Sequence, residues 1–236
     1  LRRSRRTSRT TTRTDVRFEP EGHLYFLRLK TGEEREVLSV TRALAIAGPR
    51  GEWGFDEEAA ALGTKVHKAV ALWLVDRLDE NSLHPILAGY VAGAKKFVHD
   101  TKFRISSEHH VERVVHDPAL GVAGTLDLFG KAWKRKVLVD WKSGTTVAPW
   151  MDLQTGGYLH CARRVGIVEF DEPVERMIVR LTRDGDFKMY PHKGRSDTAA
   201  FCSCVTLAWW KIRNGFATLR PEEEEEFEIW QPTARI

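Results

Sequence analysis

The chain has 236 residues, of which 42% are hydrophobic and 30% charged, with a net charge of +4; this suits one α/β domain with appendages. No apolar run approaches the ~20 residues of a membrane span, and the chain opens on charge rather than on a secretory signal pattern. Cys161, Cys202 and Cys204 make an odd count without framework spacing, which points to free thiols in a reducing, intracellular setting.

The charge is divided along the chain. Residues 1–17 carry seven arginines against one aspartate, and the segment from Pro221 holds six glutamates against one arginine, which leaves the body mildly basic at +3. Residues 1–15 are Arg, Ser and Thr with almost nothing apolar and are expected to be a disordered basic arm. A phosphate-binding arm, an organellar transit peptide and a plain solvated tail all fit that composition. Residues 16–220 read as a single domain, and 221–236 as an acidic C-terminal tail.

Short strands are expected at Arg17-Phe18-Glu19, Leu24 to Leu27 and Glu36-Val37-Leu38, with turns at Glu21-Gly22 and Thr31-Gly32 between them. Ser39 or Thr41 can cap a short helix that runs to Ala47 and is stopped by Gly48-Pro49. A long helix is expected from about Asp56 to Asp79, with a break near Gly63 allowed, and another from Pro85 to about Thr101. Three strands follow: Ser107 to His116, Val122 to Lys131, and Lys136 to Trp141. A helix from Pro149 to Arg164 precedes a hairpin of Glu175 to Leu181 and Phe187 to Pro191. The last helix spans Asp197 to Asn214, with Gly215 as its stop. This order gives an α/β fold: one central mixed sheet flanked by helices. There is neither a GxGxxG after a strand nor a GxxxxGK[ST] loop, so dinucleotide and P-loop chemistry have no support.

The run Val137-Leu138-Val139-Asp140-Trp141-Lys142 carries the most information. Strand side chains alternate with period two, so Asp140 and Lys142 emerge on one face. A carboxylate beside an ammonium at a strand end suits a divalent metal and a phosphate together. Asp127 supplies a second carboxylate; alternation groups it with Ala123, Thr125 and Phe129, and groups Val122, Gly124, Leu126 and Leu128 on the other face. A lone buried carboxylate is costly unless paired or bound to metal, and two on adjacent strands beside a lysine make a metal site the better reading. Glu112 either adds a carboxylate or is a surface charge paired with Arg113. His67 lies on the stripe formed with Val70, Ala71, Leu74 and Leu78, where it is a core histidine or, beside carboxylates, a ligand. Gln154 and Tyr158 stand at i and i+4 on one helix face.

Gly63-Thr64-x-x-His67, Glu112, Gly124-x-x-Asp127, Asp140-x-Lys142 and Gln154-x-x-x-Tyr158 occur in this order. The ordered set resembles the PD-(D/E)xK nuclease superfamily in its RecB-like branch, near the phage-encoded exonucleases and the mitochondrial genome maintenance exonuclease. It covers about residues 60–160. The resemblance implies a restriction-endonuclease-like core in which His67, Asp127, Asp140 and the Trp141 backbone carbonyl bind one or two Mg2+ or Mn2+ ions. It implies that Lys142 positions or activates the attacking water, that Asp127, Asp140 and Glu112 serve catalysis, and that Gln154 and Tyr158, with Lys142, contact DNA. Some relatives hold an iron–sulfur cluster on four cysteines; three cysteines, none before Cys161, cannot build one within this chain.

Phosphodiester hydrolysis needs charge on the phosphate neutralised and water made nucleophilic. The expected activity is a metal-dependent DNA nuclease, favoured as an exonuclease on DNA ends or single strands in recombination, repair or replication. An endonuclease on the same site, a catalytically decayed DNA-binding module and a hydrolase of small phosphoesters are the alternatives. A bacterial or phage-infected cytoplasm is the expected setting, with the mitochondrial matrix as the other.

Overall fold

The computed structural model describes residues 15–50, 57–105 and 107–220. The basic arm up to Thr14, the helix start expected at Asp56 and the acidic tail from Pro221 lie outside the described residues.

Strands β1 (Val16–Glu19), β2 (Leu24–Arg28) and β3 (Glu34–Ser39) form an antiparallel meander. Helix α1 (Val40–Ala47) starts where the Ser39 hydroxyl accepts the Arg42 amide at 3.0 Å. It stops where Gly48 turns left-handed at φ 114° and donates its N–H to Leu44 O. Next come α2 (Glu57–Leu74) and α3 (Pro85–Thr101). Then β4 (Arg104–Ile105), β5 (Val111–Asp117), β6 (Val122–Ala132) and β7 (Arg135–Lys142) precede α4 (Trp150–Arg164). The hairpin β8 (Val174–Leu181) and β9 (Phe187–His192) leads into α5 (Asp197–Arg213).

Three elements depart from expectation. Helix α2 is unbroken at Gly63 and ends at Leu74 rather than Asp79. There Asp76 takes φ 53° and the Arg77 amide closes on Leu72 O at 2.8 Å, while Asp79 caps a separate 3-10 turn at Glu80–Ser82. Strand β5 starts at Val111 rather than Ser107, because Ser107 Oγ accepts the His109 amide at 3.2 Å and holds Glu108–His110 in one 3-10 turn. A polar side chain competes with the ladder for the backbone there. The two-residue strand β4 was not expected at all.

The strands form one nine-stranded mixed sheet in the order β1-β2-β3-β6-β7-β8-β9, with β4 and β5 also on β6. The pairs β3–β6 and β7–β8 are parallel and the rest antiparallel. This is the mixed sheet flanked by helices that the sequence implies. One face packs Leu38, Leu126, Phe129 and Leu138 against α1, α4 and α5; the other packs Leu128, Val137, Val139 and Trp141 against α2 and α3. Gly157, in the interior of α4, costs its helix about 1 kcal/mol. A Cβ there would stand 2.6 Å from the Phe201 ring. Its absence lets that fully buried ring seat between α4 and α5, and burying a ring of this size stabilises by about 3 kcal/mol.

Strand β6 organises the site. Strand β5 runs along one of its edges from Val122 to Leu128. Both β3, paired at Val122 and Ala123, and β7, paired from Leu128 onward, must therefore share the other edge. Between them, residues 124–127 have no strand neighbour on that edge among the described residues. At the far end, Ala132 pairs with Arg135 and the chain reverses through Trp133 and Lys134 alone, at φ 48° and 65°. Two positive φ values in a two-residue loop are a type I′ turn, for which Asn-Gly is the favoured pair. Ordinary side chains there cost about 1–2 kcal/mol each.

Candidate active site

The gap in β6 is where the sequence-derived residues meet. Strands β6 and β7 part after Leu128 and Val139. Instead of a ladder bond, the Trp141 amide donates to Asp127 Oδ2 at 2.7 Å. Simple alternation fails here: Leu126 packs toward α4 and Leu128 toward α2, two residues apart. Phe129 shares its cluster with Leu126, so the expected grouping of Asp127 with Phe129 is corrected. The break at Asp127 frees its carboxylate to meet α2, where His67 Nδ1 lies 3.3 Å from Asp127 Oδ1. His67 sits at the margin of the buried stripe of α2, which centres on Val66, Ala69 and Val70.

Opposite Asp127 in register stands Glu112, the one residue of β5 missing from the pairing with β6. It holds φ 45°, a conformation of non-glycine residues that persists where the surroundings impose it. His67, Glu112 and Asp127 each offer a ligand atom, all within 4.8 Å of one another. The residue left between surface charge and third carboxylate by the sequence is thus brought into the cluster.

Asp140 stands beside that cluster on β7, held by Lys142. Its Oδ2 lies 2.5 Å from Lys142 Nζ, so the pair shares one face as alternation requires. That oxygen is buried and makes no hydrogen bond of proper geometry. Behind it on α4, Gln154 Nε2 donates to the Tyr158 hydroxyl at 3.2 Å, and Gln154 Oε1 is buried without a partner. Tyr158 passes over Gly124, where a Cβ would stand 2.8 Å from Tyr158 Cε1 and 2.9 Å from Val40 Cγ2. Gly124 is required because the tyrosine crosses β6 at that point. The loop after Lys142 is held by Arg180, which donates to Thr145 O at 2.7 Å.

Electrostatics follow from crowding four ionisable groups together, of which Asp127 and Asp140 are buried, His67 is half-buried and Glu112 is exposed on its outer side. Burial pushes the Glu112 carboxyl up to about 8, with the Asp127 charge as second cause; the residue keeps solvent access at its surface side. Burial likewise raises Asp140 to about 6, opposed by Lys142 and aided by Asp127. Burial would also raise Asp127, but His67, Lys142 and the Trp141 amide hold it below its ordinary value. Burial would lower His67, yet Asp127 overcomes it and lifts the imidazole to about 9. Carboxylates forced together beside a histidine that must stay protonated to balance them are groups whose charge a divalent cation would satisfy. An imidazole and carboxylate oxygens suit Mn2+ and Mg2+.

One set of neighbours carried no sequence signal. His23, at φ 54° in the β1–β2 turn, lies 3.2 Å from the Tyr25 hydroxyl, which in turn lies 2.9 Å from Thr125 Oγ1. Burial lowers His23, with the Asp127 charge opposing. This set of contacts reaches β6 two residues before Asp127.

No protein-family model matches the chain, and no curated protein matches it. Solved structures similar to it include one described as a putative exonuclease from Eubacterium rectale, 14% identical with a TM-score of 0.46 over 77% of this chain and 82% of that one. Another is an alkaline exonuclease from Laribacter hongkongensis, 9% identical with a TM-score of 0.42 over 76% of this chain and 89% of that one.

Proposed function

We propose that the chain is a divalent-metal-dependent deoxyribonuclease of the PD-(D/E)xK type, acting as an exonuclease on DNA ends. The observation that carries this reading is the convergence of His67, Glu112 and Asp127 from three separate elements on one point, with the Asp140–Lys142 pair on the adjoining strand. His67, Asp127 and Glu112 would hold the ion, with Asp140 and the Trp141 carbonyl completing the oxygen set. A bound divalent ion supplies Lewis-acid charge to the scissile phosphate and lowers the pKa of water.

The remaining chemistry belongs to side chains. Lys142 is a compact positive charge with three donors, anchored by Asp140, and can orient water in line with the phosphate. The Tyr158 hydroxyl accepts from Gln154, so its own proton is free to donate to a phosphate oxygen. Burial, with Asp140 and Asp127 next, pushes Tyr158 well above its ordinary value, which keeps it a donor. Among the described residues no helix is long and apolar enough to cross a membrane.

The test is nucleotide release from end-labelled linear DNA beside covalently closed circular DNA, with Mg2+, Mn2+ or chelator. Cleavage of the linear form alone, lost in chelator and in Asp127→Asn and Asp140→Asn, is the expected result. Nicking of the circle would make it an endonuclease. Full activity in chelator would remove the metal from the mechanism.

A further inference from the structure

At the other end of β6 and β7 from the metal cluster lies a cavity of about 890 Å3. Its walls come from the β6–β7 hairpin, α4, the start of β8 and the segment after β9. Lys131, Lys134, Arg163, Lys193 and Arg195 line it, and among the described residues none of these five pairs with a carboxylate. The two acids in its wall are already engaged, Glu172 by Lys136 at 2.6 Å and Glu175 by Arg135. The cavity therefore presents uncompensated positive charge. Its floor is built rather than loose: Arg176, 5% exposed, bonds Asp197 Oδ2 at 2.5 Å and Gly194 O at 2.8 Å, which pins the segment that carries Lys193 and Arg195.

A second observation points to the same ligand. The turn that delivers Lys134 to the cavity holds Trp133 beside it, 48% exposed, and both residues stand at positive φ without a glycine. Strain of this kind is kept where it serves a purpose. An exposed indole one residue from a lysine of a basic cavity offers the two groups that grip single strands, a ring on which bases stack and cations that take phosphates.

We propose that the β6–β7 turn and the basic cavity form a second nucleic-acid subsite, which holds single-stranded DNA with Trp133 as the stacking surface and Lys134, Lys193 and Arg195 as phosphate contacts. The subsite rests on the nuclease reading for the identity of the polyanion. Six residues of extended strand separate Lys134 from Asp140, about 20 Å, so the strand in the active site and the strand on Trp133 belong to one substrate several nucleotides long.

The experiment is anisotropy of labelled (dT)20 in chelator, where no cleavage interferes, between 50 and 200 mM salt. Trp133→Ala should weaken binding about tenfold or more, as expected for loss of one stacking contact, and Trp133→Phe should retain most of it. The triple variant Lys134→Gln, Lys193→Gln, Arg195→Gln should lower the salt slope by about 2. Trp133→Asn with Lys134→Gly suits the turn, so it should melt no lower than the wild type and still bind poorly, which separates a lost subsite from a lost fold. Cleavage of (dT)3, too short to span the distance, should be unchanged in all of these. If Trp133→Ala and the triple variant bind (dT)20 like the wild type while the wild type cleaves DNA, the subsite is wrong and the nuclease reading stands. If the wild type itself neither binds nor cleaves DNA, the nuclease reading fails and the subsite goes with it.

Discussion

Replacing Lys142 by methionine should separate catalysis from metal binding. The substitution keeps the apolar stem of the side chain and removes its charge. In the structure that charge sits 2.5 Å from Asp140 and helps hold Asp127 ionised. Losing one preorganised donor at a reacting phosphate costs about 3–4 kcal/mol, or 100- to 1000-fold in single-turnover rate. Cation binding should respond in the opposite sense, since a positive charge leaves the edge of an acidic cluster. Asp140 titrates near 6 with Lys142 beside it, and losing Lys142 moves it higher. The comparison therefore belongs at pH 8, where the carboxylate is ionised in the wild type with room to spare. Calorimetric titration with Mn2+ should show affinity no weaker than wild type, beside cleavage reduced at least 100-fold. Near-normal cleavage would refute the role given to Lys142. A tenfold or greater loss of Mn2+ affinity would show that the lysine acts by holding Asp140 in place.

Three further outcomes follow from the same structure. Mn2+ should support cleavage at least as well as Mg2+ because the proposed donor set includes the His67 imidazole; a strong Mg2+ preference in parallel initial-rate assays would take the imidazole out of it. Gly124→Ala should destabilise by about 1–3 kcal/mol through contact with Tyr158 and Val40, lowering Tm by several degrees, and an unchanged melt would mean the tyrosine does not cross β6 there. His160 lies 2.7 Å from Asp117, which Arg164 also meets at 3.3 Å, and 3.6 Å from Cys202. Asp117 first, then Cys202, raise it to about 9. A folded-state value raised above the unfolded one gives stability that is whole below about 6.5 and lost as pH rises through 9, on the order of 2 kcal/mol. Urea unfolding should thus separate the wild type from His160→Gln at pH 6 and bring them together above pH 9; a constant gap would sink the ion pair.

Much of this was legible in the chain. The Ser39 and Gly48 boundaries of α1, the β8–β9 hairpin and the shared face of Asp140 and Lys142 each follow from local chemistry acting over a few residues. The site itself was legible as an ordered set of motifs but not as geometry. Alternation could not show that β6 changes face at Asp127, because the cause is the Trp141 amide, fourteen residues on, taking the carboxylate in place of a ladder partner. Glu112 could not be assigned for a related reason: its left-handed backbone depends on what lies across from it in β6. The early end of α2 and the late start of β5 turn on single capping bonds among polar residues that fit either state. The basic cavity draws on segments more than sixty residues apart and had no linear signature beyond the Trp133-Lys134-Arg135-Lys136 run.

The bond between the Trp141 amide and Asp127 also changes what the usual isosteric substitution means at this position. One carboxylate oxygen is committed to a backbone donor, and only the other faces His67. In Asp127→Asn the side-chain oxygen must take the amide, since an NH2 group cannot accept a hydrogen bond. The NH2 is then left pointing at the cluster, with its partial positive charge where the cation would sit. Asparagine here does not dilute a ligand; it reverses the polarity of the coordinating position, and alanine, which leaves that position empty for water, should bind the ion better than asparagine does.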